Sequence, residues 1–118
     1  MIKKIVTVLL IEDNPEYAAL VKRWLSAKED IQFVLNWRNS LAAGLNRLKK
    51  GNIDAILLDL GLPDSHGLET FTTTKISASG IPILILSGSE AESIALQKIQ
   101  RGPKTSTLRK ASVTVRFS

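Results

Sequence analysis

Residues 54–67, "DAILLDLGLPDSHG", bring an apolar run to a close on a carboxylate, Asp59, and then interrupt the backbone with Gly61 and Pro63. Such a run has the length of one buried strand. Its neighbours show how the pattern is built. Upstream, "KIVTVLLI" (4–11) is rich in β-branched residues and apolar on both parities, as in a strand covered on both faces. "NPEYAALVKRWLSAK" follows, with Asn14 placed as an N-cap, Pro15 at the first helical position, and Ala18, Val21 and Trp24 or Leu25 on one face. "IQFVLNW" (31–37) reads as a second strand, and "SLAAGLNRLKKG" as a helix starting at Ser40 and stopping at Gly51. Downstream, "GLETFTTTKISASG" is a weaker helix thinned by threonines. "IPILILSG" (81–88) is a fourth strand and "EAESIALQKIQRG" a fourth helix. Strand and helix alternate four times without a linker or repeat, which predicts an α/β fold around a parallel sheet.

The chain of 118 residues, 44% of them hydrophobic, is large enough for one core without a disulfide or metal staple. It has no cysteine, which excludes a disulfide scaffold, a thiolate metal site and a Cys nucleophile. No apolar run approaches transmembrane length, and the first residues make a poor signal peptide, so a cytoplasmic location is expected. The net charge of +5 is unevenly spread. Residues 1–100 hold 11 basic and 11 acidic residues, and the excess is Arg101, Lys104, Arg109, Lys110 and Arg116. A basic tail on a neutral body reads as a solvated segment, so no nucleic-acid partner is expected for this chain alone.

In a parallel sheet with right-handed crossovers, the C-terminal ends of the strands share one edge, where ligands bind. Glu12 and Asp13 end the first strand, Asp59 the third and Ser87 the fourth. Singly these are ordinary residues: a helix cap, a turn-former, a loop serine. Together they form a cluster of carboxylates that repel unless a cation sits among them. Hard oxygen donors with room for water suit Mg²⁺, and a carboxylate beside that ion can attack phosphorus. The chemistry implied is phosphoryl transfer onto Asp59, with Ser87 placed to hydrogen-bond a phosphoryl oxygen. His66, the single histidine, reads as an exposed loop residue, Trp24 and Trp37 as packing, and Gly44 as a mildly unfavourable helix residue.

The acidic pair Glu12-Asp13 before Asn14, the stretch "LLDLGLPD" around Asp59 with Pro63, Asp64 and Gly67, and "LSG" with Ser87 resemble the receiver domain of two-component response regulators, over roughly residues 4–102. The resemblance implies a doubly wound, flavodoxin-like sheet. It also implies Asp59 as phosphoacceptor, Glu12, Asp13, Asp59 and the Gly61 carbonyl as Mg²⁺ ligands, and Ser87 as the switch hydroxyl. The phosphodonor would be a phosphohistidine on a sensor histidine kinase or phosphotransfer protein. A homodimer is left open, and no membrane partner is implied. Such a domain catalyses only its own phosphotransfer. The alternatives are a receiver that has lost its switch and acts as an interaction module, and an Mg²⁺-dependent phosphohydrolase, which would ordinarily need a second acid where Gly61 stands.

Residues 103–118 depart from the family. A fifth strand ending in a lysine, preceded by an aromatic and followed by a fifth helix, should stand where the chain has "PKTSTLRKASVTVRFS". No apolar strand is legible there, and the helix is absent from the pattern. Lys110 lies near the position of the phosphoryl-contacting lysine if "TSTL" pairs, with Arg109 as the competing alignment. Read one base out of phase from Gly102, the codons permit Ala-Gln-Asp-x-Tyr-Leu-x-Lys-Gly, which resembles the family segment, so a shifted reading frame is one origin for the tail. The expectation is a core of residues 1–102, with the chain beyond about 103 mobile and the edge of the fourth strand unpaired.

Overall fold

A computed structural model of the chain describes residues 4–87 and 105–109. Five parallel strands form the sheet: β1 (Lys4–Ile11), β2 (Ile31–Arg38), β3 (Ala55–Asp59), β6 (Ile83–Ser87) and β7 (Thr105–Arg109), in the order β2-β1-β3-β6-β7. Between β3 and β6 lie a two-residue antiparallel pair, β4 (Gly61–Leu62) and β5 (Ser65–His66), and helix α3 (Gly67–Ser77). Helices α1 (Pro15–Ser26) and α2 (Leu41–Lys49) occupy the first two crossovers. This is the doubly wound α/β arrangement expected. The chain moves outward from β1 to β2, returns to β3 on the other side of β1, and continues outward, so strand order reverses between β1 and β3.

Both sheet faces are packed, which is why the strands carry apolar residues at both parities. Leu9 and Ile11 of β1 join Ile56, Leu58, Ile83 and Ile85 under α2 and α3. Val8 and Leu10 join Leu57, Leu86 and the α1 residues Ala18, Val21 and Leu25 on the opposite face. Trp24 packs half-buried against that second cluster. Local chemistry sets the helix starts. Asn14 Oδ1 accepts from the amides of Glu16 and Tyr17 at 2.9 and 3.3 Å, and Ser40 Oγ accepts from Ala43 at 3.2 Å. In α3 the threonines lower helix propensity, yet two of them are buried with their hydroxyls satisfied: Thr70 Oγ1 donates to Ser65 Oγ (2.7 Å) and Thr74 Oγ1 to the Thr70 carbonyl (2.8 Å).

The expectation of an unpaired edge at the fourth strand is corrected. Thr105–Arg109 pairs in parallel with β6, Ile83 level with Thr105 and Ser87 level with Arg109. Main-chain hydrogen bonds do not require apolar side chains, and Thr105 and Thr107 are β-branched residues that suit a pleated strand. The predicted fourth helix, Lys110 and the rest of the tail lie outside the described residues.

Candidate metal centre

The carboxylates anticipated at one sheet edge meet. β1 ends at Ile11, so Glu12 and Asp13 leave the sheet beside the C-terminal end of β3, where Asp59 stands. Glu12, Asp13 and Asp59 each bring a carboxylate oxygen within 4.8 Å of the others. Glu12 is fully buried and Asp59 is 4% exposed, whereas Asp13 faces solvent. The cluster sits where strand order reverses, at the N-terminal end of α1, whose dipole favours negative charge.

Glu12 is held by its surroundings. Its amide donates to the Arg38 carbonyl at 3.0 Å, its Oε1 accepts from the Asn14 amide at 3.3 Å, and its own carbonyl accepts from Trp37 Nε1 at 2.6 Å. Trp37, read from the sequence as packing, is 40% exposed and braces the acidic turn through its indole. No local pattern announces that bond, because it joins residues 25 positions apart.

After Asp59 the chain alternates Leu60, Gly61, Leu62. The two leucines are buried in the core beneath α2 and α3, and Gly61 between them is exposed. A Cβ on Gly61 would lie 4.0 Å from Asp59 Oδ2, which places that backbone beside the carboxylate. Two contacts fix the loop. The Gly67 amide donates to the Leu60 carbonyl at 3.0 Å, and the carboxylate of Asp64 accepts from the amides of Leu41 and Ala42, each at 2.9 Å. The hydrogen bonds from Ala42 and then Leu41 hold the Asp64 carboxyl below its ordinary 3.8. Asp64 thus caps α2 from a distant loop. Open amides behind Ser40 were the signal in the sequence, but nothing there named the acceptor. His66 is exposed, as expected, and makes no side-chain cap for α3.

Asp59 is level with Leu86 of β6, which is level with Leu108 of β7, so Ser87 and Arg109 stand one step further toward the acidic edge. Three carboxylates, two of them buried, offer the hard oxygen donors and concentrated negative charge that suit Mg²⁺.

The fold resembles solved receivers. The non-phosphorylated receiver domain of the stress response regulator RcsB from Escherichia coli superimposes with a TM-score of 0.77 at 18% identity, over 93% of this chain and 85% of that one. The chemotaxis protein CheY4 of Vibrio cholerae gives 0.71 at 18% identity, over 96% and 95%. Among curated proteins, the swarming motility regulation protein RssB of Serratia marcescens is 38% identical over 79 residues, 67% of this chain and 35% of its own length. The transcriptional regulatory protein MalR of Bacillus subtilis is 28% identical over 97 residues, 82% of this chain and 41% of its own. The chain therefore spans about a third to two-fifths of the length of these relatives. Residues 8–111 match the model of the response regulator receiver domain, and the chain belongs to that family.

Proposed function

We propose that this chain is the phosphoacceptor module of a two-component phosphorelay, with Asp59 taking a phosphoryl group from a phosphohistidine on a sensor histidine kinase or phosphotransfer protein. The observation that carries the reading is the meeting of Glu12, Asp13 and Asp59 within 4.8 Å at the switch point of the sheet. A carboxylate oxygen of Asp59 forms the new P–O bond while the donor's P–N bond breaks, and the imidazole nitrogen leaves with the electron pair and takes up a proton. Glu12, Asp13 and Asp59, with the Gly61 carbonyl, are the residues that would hold Mg²⁺. Bound there, the ion neutralises the charge of the phosphoryl oxygens. Asp59 is oriented by the end of β3 and by the buried leucines on either side of Gly61. Ser87 is the switch hydroxyl, and Lys110 or Arg109 supplies the cation for the phosphoryl group. Arg109 gains support from its register with Ser87. The module acts in the cytoplasm and turns over no substrate beyond its own phosphotransfer. Among the described residues no helix is long and apolar enough to cross a membrane.

Labelling with a small-molecule phosphodonor tests the site. The parent chain should form an acid-stable, base-labile acyl phosphate with Mg²⁺ and far less in EDTA, and Asp59→Asn should form none. A variant that labels as well as its parent would remove Asp59 from the role. A folded parent that binds Mg²⁺ yet never labels would leave a receiver that has lost its switch. Because the Trp37 indole donates to the Glu12 carbonyl, Mg²⁺ binding should alter tryptophan fluorescence, and Trp37→Phe should abolish that response.

A further inference from the structure

β2 is the outer strand of the sheet beside β1, and among the described residues no strand pairs with its other edge, which runs for eight residues without proline, lysine or bulge. Such an edge is a template for another strand. We infer that it pairs, antiparallel and about a two-fold axis at Val34, with β2 of a second copy of this chain.

The register follows from the backbone. The Arg38 carbonyl points inward, accepting from the Glu12 amide at 3.0 Å. Alternate residues of a strand paired on one side turn their N–H and C=O groups toward the partner strand. Arg38, Asn36, Val34 and Gln32 therefore spend theirs on β1. Trp37, Leu35, Phe33 and Ile31 present theirs at the open edge, and the Trp37 carbonyl is met there by Arg38 Nη1 at 2.8 Å. An antiparallel partner must place one outward residue opposite another.

With Val34 on the axis, Phe33 stands opposite Leu35 of the second copy and Ile31 opposite Trp37, which joins apolar pairs on the α1 face. On the α2 face Val34 meets Val34 and Gln32 meets Asn36, and Asp30, in the bend just before β2, comes level with Arg38, twice in each dimer. Moving the axis to Phe33 would put Lys28 opposite Arg38, a like-charge pair, and moving it to Leu35 would put Arg38 opposite Gln32 and Asp30 opposite Ser40, which loses both ion pairs. Exposure fits: Val34 is 41% exposed and Trp37 40%, and Asp30 and Gln32 face solvent. Charge complementarity of residues 30–38 with themselves in this one register, Asp30 before β2 against Arg38 at its end, selects a second copy over an unrelated strand. The inference does not depend on phosphorylation of Asp59.

Because the chain has no cysteine, a single engineered thiol reports the register. Val34→Cys lies on the axis, where opposed Cα atoms of a non-hydrogen-bonded pair approach to about 4.5 Å, within disulfide range. Gln32→Cys would stand about 14 Å from its own copy along the strands. Sedimentation of the full chain over a concentration series should show reversible dimerisation. Asp30→Lys and Arg38→Glu should each weaken it about tenfold, and the doubly swapped variant should restore it to within about threefold. Under mild oxidation Val34→Cys should cross-link and Gln32→Cys should not. A chain that stays monomeric at high concentration, dimerisation unmoved by either charge reversal, failure of the double swap, or equal cross-linking of both thiols would each overturn the inference.

Discussion

Gly44→Ala is expected to destabilise the protein although alanine is the better helix former. Gly44 is buried in α2 against β1. A Cβ there would overlap Ile11 Cδ1 and stand 2.8 Å from Cγ1. The substitution gains about 1 kcal/mol of helix propensity. Against that, Ile11 is wholly buried, and Cγ1 lies one bond from Cβ, where the side chain cannot swing aside cheaply. Overpacking a filled core costs about 1–3 kcal/mol, and this site belongs in the upper half of that range. The net loss should be about 1–2 kcal/mol, read as a lower urea midpoint at unchanged slope. Ile11→Val removes Cδ1 and alone costs about 1 kcal/mol. In the Gly44→Ala background it should cost less, with a coupling of at least about 0.5 kcal/mol. Ile11 precedes Glu12, so Gly44→Ala should also weaken Mg²⁺ binding. An unchanged or raised midpoint for Gly44→Ala, or strict additivity with Ile11→Val, would refute the close-approach account of this glycine.

Calorimetry should find weaker Mg²⁺ binding in both Asp13→Asn and Glu12→Gln; unchanged affinity in both would rule out a carboxylate metal site. Without divalent cation Asp59→Asn should raise the urea midpoint, since it removes one of three like charges held within 4.8 Å. Asp64→Ala should lose about 1 kcal/mol by uncapping two α2 amides. Because folding lowers the Asp64 pKa below 3.8, its stabilisation is fully present above that value and fades as the pH falls through the lowered one; Asp64→Asn should flatten that part of the acid-unfolding curve. Hydrogen exchange should show protected amides within residues 105–109 that open together with β6, and free exchange across that segment would dissolve the fifth strand.

The sequence by itself determined β1, α1, β2, α2, β3, α3 and β6, because their periodicities are local and the caps Asn14-Pro15 and Ser40 lie beside the helices they start, whereas the two-residue pair β4–β5 read only as a loop. It also determined that Glu12, Asp13, Asp59 and Ser87 belong to one edge, since parallel strands joined by right-handed crossovers leave their C-terminal ends together. Tertiary structure decided what depends on pairing and proximity between distant residues. β7 is a strand because β6 offers it a row of backbone partners, not because "TSTLR" is apolar. Gly44, which as a helix residue is only a defect, is the point where α2 comes down on Ile11. Trp37 and Asp64 brace the acidic turn and the loop after Asp59 through hydrogen bonds that span 25 and 22 or 23 positions. Periodicity is a one-dimensional signal of which face a residue occupies. The identity of the atom opposite that face is fixed only when the layers close.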